Sequence, residues 1–160
     1  MSGITRPRGF RAAGLAAGIK PGGVPDLALV SADRAVPAAG VFTRTAAAAP
    51  PVILSRRHLA EPYLKAIVLN SGCANAATGD AGLQAGETIA AAVAGTLACT
   101  PEEVAVCSTG EIGTRLPVGN IVDAIGVRSF ADLSQPFAEN RRDAVLQAIA
   151  TVATVPVISL

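Results

Sequence analysis

The sequence has no tryptophan, one tyrosine and one histidine, and aromatic residues make up 3% of its 160 positions. So thin an aromatic inventory leaves little surface on which nucleic-acid bases could stack. Nor is there an excess of either charge, since thirteen Lys+Arg against twelve Asp+Glu give a formal net charge of +1. A protein that neutralises a phosphate backbone needs a basic surplus, so nucleic acid is excluded as a partner class. Metal ligands are equally scarce. Cys73, Cys99 and Cys107 lie at uneven intervals without a CxxC pair, and His58 is the only histidine, so no zinc or iron–sulfur site can be assembled and no metal is expected. Three scattered thiols fit a reducing, cytoplasmic setting better than a disulfide scaffold. The longest apolar run, Ile89 to Cys99, is broken by Gly95 and Thr96 and falls short of the ~20 residues that span a bilayer, so no membrane partner is expected. The apolar stretch Leu15 to Ile19, after Arg6, Arg8 and Arg11, is too short for a signal-peptide core. Neither a P-loop nor a G-x-G-x-x-G after a strand is present, and no cofactor is expected.

What is present is small and apolar. Hydrophobic residues make up 51% of the chain and the mean hydropathy is +0.47, which excludes disorder. Much of that is alanine. The length suits one domain, but an Ala/Val-rich, Phe-poor chain can also be half of a larger core. Short β-like runs come first: Leu27–Val30, Ala39–Thr43, Pro51–Ser55, Ala66–Asn70 and Val104–Cys107, with Ala66–Asn70 as the buried central strand. Helical spacing runs from Asp80 to Leu97, and Leu116–Ile125 and Arg141–Ile149 read as amphipathic helices. In Thr100-Pro101-Glu102-Glu103, Thr at N-cap and a Glu reaching back to its amide predict a helical turn feeding the strand at Val104. The expectation is an α/β fold, a mixed sheet with flanking helices.

Two loops carry candidate chemistry. Asn70-Ser71-Gly72-Cys73-Ala74-Asn75-Ala76-Ala77-Thr78-Gly79 follows the central strand and is dense in small and amide side chains. It reads either as an elaborate turn or as a ligand-facing loop at the carboxyl end of a strand, where open α/β sheets bind ligands. Cys107-Ser108-Thr109-Gly110-Glu111-Ile112-Gly113 repeats that logic at the end of the next strand. Thr109 and Gly110 could direct a hydroxyl and a backbone N–H at one point, which is what stabilising an oxyanion requires. Cys107, inside the strand without a base, reads as a buried structural cysteine. His58, after Arg56-Arg57, reads as an exposed histidine on a solvated helix surface, which disfavours an ordinary Ser–His or Cys–His dyad.

These loops, in this order, belong to a wider pattern: Gly9-Phe10 with Ala12-Ala13-Gly14, Gly18-Ile19-Lys20, Pro25-Asp26-Leu27-Ala28-Leu29-Val30 and Gly40-Val41-Phe42-Thr43. It continues through Val68-Leu69-Asn70-Ser71-Gly72, Ala74-Asn75-Ala76, Thr78-Gly79, Val104 to Gly110, Ile112-Gly113 and Leu116-Pro117. The chain resembles the N-terminal part of the ornithine acetyltransferases, the bifunctional glutamate N-acetyltransferases of arginine biosynthesis. The resemblance implies the self-processing, DmpA/ArgJ-like fold and a multifunctional enzyme that cuts itself autocatalytically at an Ala–Thr bond into α and β chains. The freed N-terminal Thr of β takes the acetyl group of N-acetylornithine as an ester and passes it to glutamate, with acetyl-CoA a further donor in bifunctional members. An N-terminal amine can serve its own hydroxyl as base, so no histidine is needed. Thr109 and Gly110 match the family's oxyanion hole, Thr154 matches a substrate-binding threonine, and the partner implied is a β chain in an α2β2 assembly.

The departures lie at the end. Where the family has Thr-Thr-Asp-Thr followed by Pro-Lys, this sequence has Thr151-Val152-Ala153-Thr154-Val155-Pro156-Val157. The family's Lys-Gly-x-Gly-Met segment, cleavage bond and nucleophile do not occur in these 160 residues. Residues 1–150 therefore read as an α-chain-like region and 151–160 as a divergent tail, produced by truncation, frameshift or separate encoding. Alone it is expected to be inactive and to bind a hydrophobic dye. The competing expectation is a non-catalytic metabolite- or partner-binding module. An aminopeptidase-like relative of the same self-processing fold fits the two loops less well.

Overall fold

A computed structural model describes residues 8–128, with the side chains of 127 and 128 outside that description. The second C-terminal helix expected at 141–149, Thr154 and the boundary at 150 lie outside the described residues. Four strands, β1 (Phe10–Leu15), β2 (Leu27–Pro37), β3 (Tyr63–Cys73) and β4 (Val104–Glu111), form one sheet in the order β1-β2-β3-β4. β1 and β2 are antiparallel, as are β2 and β3, whereas β3 and β4 run parallel. The parallel pair requires a crossover, and α2 (Gly79–Leu97) supplies it. The mixed α/β sheet expected from the sequence is what forms.

Alternation along the strands sorts the side chains. Ala13, Leu27, Leu29, Ala66, Val68, Val104 and Val106 share a core with Ile89, Ala90, Val93 and Ala94 of α2 and with Leu116, Ile121 and Ile125. The last two lie on α3 (Val118–Arg128). Alanines at 90 and 94 let α2 lie close to the sheet, which is how a chain so poor in large side chains still fills its interior. The positions that alternate with these, Ala12, Ala28, Val30, Ile67, Leu69, Ala105 and Cys107, lie on the other face. There Ile67 is 38% and Phe10 39% exposed. Within the run Ala66–Asn70, positions 66–69 are therefore all apolar because both faces of β3 are apolar there, although only one is packed by the described helices. Thr100–Glu103 forms the expected turn, with the Glu103 carboxylate accepting the Thr100 amide at 2.9 Å.

Two expected strands do not form. Ala39–Thr43 is irregular, and Val41 is fully exposed. Gly40 is wedged so tightly that a Cβ there would come within 2.9 Å of Leu59 and of the Phe42 ring, a local packing that leaves no ladder. Pro51–Ser55 belongs to a helix, α1 (Pro50–His58). Proline at the first helical positions is compatible with a helix start, and Pro51, Leu54, Ser55 and His58 are all buried, at the i, i+3, i+4, i+7 spacing of one helical face.

That face corrects the reading of His58 as well. The imidazole is 6% exposed, and its Nδ1–H donates to the Val104 carbonyl at 2.7 Å. One turn earlier, Ser55 Oγ donates to the Val106 carbonyl at 2.8 Å and accepts the Val106 N–H at 3.0 Å. Among the described residues β4 is an edge strand, and its outward backbone groups would otherwise be buried without partners. α1 supplies those partners from its side chains. Replacing Ser55 with alanine strands both Val106 groups and is expected to cost about 2–4 kcal/mol, read as a shift in urea midpoint at unchanged slope.

Candidate active site

The two loops singled out by sequence meet at the carboxyl ends of β3 and β4. Asn70 pairs with Ser108, Ser71 with Thr109 and Gly72 with Gly110, after which the register breaks at Cys73. Thr109 and Gly110 are thus the last regular residues of a strand rather than of a free loop. The break has a local cause. Gly72 has φ +108° and Gly110 φ +137°, a region that side chains rarely adopt. A Cβ on Gly110 would overlap the Gly72 carbonyl carbon and come within 2.5 Å of the Cys73 nitrogen and 2.7 Å of Gly72 Cα. The two backbones touch there, and only glycine permits it.

Below this contact the first loop is tied to itself. Asn70 Nδ2 donates to the Cys73 carbonyl at 2.9 Å, and the Ala74 amide donates to the Glu111 carbonyl at 2.9 Å. Asn75, at φ +45° and 2% exposed, donates from Nδ2 to the Gly82 carbonyl at 3.0 Å and accepts the Thr78 hydroxyl at 2.8 Å. The loop is therefore both an ordered turn and a wall of the β3–β4 terminus, so the two readings left open by its sequence do not exclude each other. Ser71 Oγ is buried with no hydrogen-bond partner among the described residues.

A third segment, which sequence reasoning did not select as functional, closes the same end of the sheet. Asp26 precedes β2, is 0% exposed, and accepts three backbone N–H groups: Ala17 at 2.6 Å, Ile19 at 2.7 Å and Lys20 at 2.9 Å. Its carbonyl accepts the Ser71 amide at 2.8 Å. The signal in the sequence was a lone acid directly before the most apolar strand, where an unpaired carboxylate could not be buried.

Cys107 departs from its expected burial. Its residue surface is exposed, although the protein around the sulfur desolvates the thiol and pushes its pKa above the ordinary value. A thiol so shifted is a poor nucleophile at neutral pH. His58 is remote from Thr109, because it engages Val104 at the opposite end of β4; at about 3.3 Å per residue that is roughly 16 Å away. Among the described residues no group of three His, Cys, Asp or Glu side chains could hold a metal ion, and no helix is long and apolar enough to cross a membrane. What converges at this end of the sheet is a hydroxyl, Thr109, beside backbone held in an unusual conformation.

The ArgJ family model matches residues 11–159. The arginine biosynthesis bifunctional protein ArgJ of Mycobacterium leprae is 48% identical over 162 residues, covering 96% of this chain and 39% of that protein. Its namesake in Thermobifida fusca is 42% identical over 157 residues, covering 98% and 39%. The chain thus spans about two fifths of these curated relatives. Among solved structures, ornithine acetyltransferase from Mycobacterium tuberculosis complexed with ornithine superposes with a TM-score of 0.81 at 42% identity, over 92% of this chain and 78% of that one. ArgJ from Bacillus halodurans gives a TM-score of 0.81 at 32% identity, over 92% and 75%.

Proposed function

Because the chain belongs to the ArgJ family, we propose that it is the α-type part of a glutamate N-acetyltransferase of arginine biosynthesis, moving acetyl from N-acetylornithine to glutamate. The observation that carries this reading is the backbone contact of Gly72 with Gly110, which fixes Thr109 and the Gly110 amide side by side. In acyl transfer a hydroxyl attacks the acetyl carbonyl, and the negative charge that develops on oxygen must be met by preorganised donors. Thr109 Oγ–H and Gly110 N–H are those donors here. The nucleophile comes from a β-type chain whose N-terminal threonine uses its own amine as base. The ornithine amine then leaves, the acetyl group rests as an ester on that threonine, and the glutamate amine takes it. Thr154 belongs to the substrate pocket of the same scheme.

The surface assigned to the β-type chain is the second apolar face of the sheet, around the exposed Phe10 and Ile67. Exposed apolar area of that kind on a soluble protein marks an interaction site. The three cysteines are unpaired, in keeping with a cytoplasmic setting.

The test is reconstitution. Co-expressed with the β-type portion of the Mycobacterium leprae relative, the chain is expected to transfer acetyl from N-acetylornithine to glutamate, whereas neither part does so alone. A stable complex without transfer would overturn the assignment and leave a binding module.

A further inference from the structure

The carboxylate of Asp26 sits outside the reacting centre, yet two of its three contacts, with the Ile19 and Lys20 amides, lead toward it. We propose that Asp26 is a positioning residue for Thr109 and Gly110 at the end of β4, acting through the segment Ala17–Lys20; this rests on the reading of that pair as the oxyanion site.

The chain of contacts is short and continuous. The buried carboxylate gathers the amides of Ala17, Ile19 and Lys20, which sets how that segment lies between β1 and β2. The segment in turn rests on Gly72. A Cβ on Gly72 would come within 2.9 Å of Lys20 Cγ, 3.0 Å of Ile19 Cγ2 and 3.6 Å of Lys20 Cε. On its other side Gly72 meets Gly110, where a Cβ would fall 2.7 Å from Gly72 Cα. Gly72 is therefore held between the segment Asp26 fixes and the residue whose amide faces the oxyanion. Asp26 also grips the strand directly, through the Ser71 amide on its carbonyl at 2.8 Å. Glycine has no side chain to set its own conformation, so a two-glycine contact is only as well defined as what flanks it. Oxyanion donors must be held within a few tenths of an ångström to be useful, and residues that lock them matter as much as the donors.

An asparagine at position 26 keeps the shape but replaces one acceptor oxygen with a donor, which opposes an amide N–H in either flip, that of Ala17 in one and those of Ile19 and Lys20 in the other. By amide hydrogen exchange on the 160-residue chain, Asp26→Asn is expected to speed exchange at Ala17, Ile19 and Lys20. It is also expected to speed exchange at Gly72, Thr109 and Gly110 by about tenfold, with the amides of Ile89–Ala94 in α2 unchanged. Acceleration confined to 17–20 would overturn the proposal. If Asp26→Asn loosens the whole chain, Lys20→Ala decides. It removes the stem lying on Gly72 and leaves the carboxylate's hydrogen bonds in place, so local acceleration at 72 and 110 supports the proposal and its absence overturns it. In the reconstituted enzyme Asp26→Asn is expected to lower kcat about tenfold with KM within twofold for both substrates, because only the transition state meets the misplaced donors. An equal rise in KM would make Asp26 a pocket residue and refute the positioning role. If the unaltered complex is inactive, the acyltransferase reading fails while exchange still reports on the contact chain.

Discussion

Gly110→Ala is expected to unfold the end of the sheet. The added methyl would overlap the Gly72 carbonyl carbon and lie 2.5 Å from the Cys73 nitrogen. Both are backbone atoms, so no side-chain rotation can relieve the clash. The φ of +137° adds a strain of its own, since L side chains rarely adopt that region. Together these should cost about 3–5 kcal/mol, at the upper end of what single substitutions do, and a chemical-denaturation curve would report it. A control comes from Gly95, an exposed position in α2 where an added Cβ meets nothing within 4 Å. There alanine should stabilise by about 0.5–1 kcal/mol through helix propensity. A Gly110→Ala protein within about 1 kcal/mol of its parent would mean that β3 and β4 do not approach as described.

Thr109→Ala is expected to act on turnover with little effect on stability. Thr109 is half-buried at the end of β4, and alanine there leaves the strand and the Gly72–Gly110 contact intact. The loss is one donor to an oxygen that carries charge only in the transition state, so kcat in the reconstituted enzyme should fall about 10²–10³-fold with KM nearly constant. Thr109→Ser keeps the hydroxyl and should recover most of that rate. Serine no better than alanine would show that the methyl packs while the hydroxyl does nothing. A large rise in KM in the alanine variant would move Thr109 from the oxyanion to ground-state binding.

Much of this architecture is legible in the sequence, and the exceptions share a cause. Leu27–Val30, Ala66–Asn70 and Val104–Cys107 read as strands because buried sheet positions demand apolar runs, and Asn70–Gly79 reads as special because its composition is. α1 is illegible to the same rule. Val52-Ile53-Leu54 is apolar and begins with two β-branched residues, yet the face that matters is Pro51, Leu54, Ser55 and His58, half of it polar. Ser55 and His58 are buried to satisfy backbone that belongs to β4, 51 and 46 residues away. A pattern rule that sorts residues by polarity places them on the surface, because the groups they serve are invisible from their own segment. Asp26 is the same case on a smaller scale: its partners are amides, which every residue has and no motif records. The approach of Gly72 to Gly110 is likewise a property of register, set by the pairing of β3 with β4.

The covering of β4 by α1 also limits how copies of the chain can associate. With Val104 and Val106 already engaged on their outer side, no foreign strand can add there, and among the described residues β1 is the only other terminus of the sheet. Among the described residues, lateral growth therefore has at most one end, that of β1. Two copies joined through their β1 strands consume both ends at once, so edge-to-edge association closes at a pair, where a sheet with two free ends would propagate as a fibre.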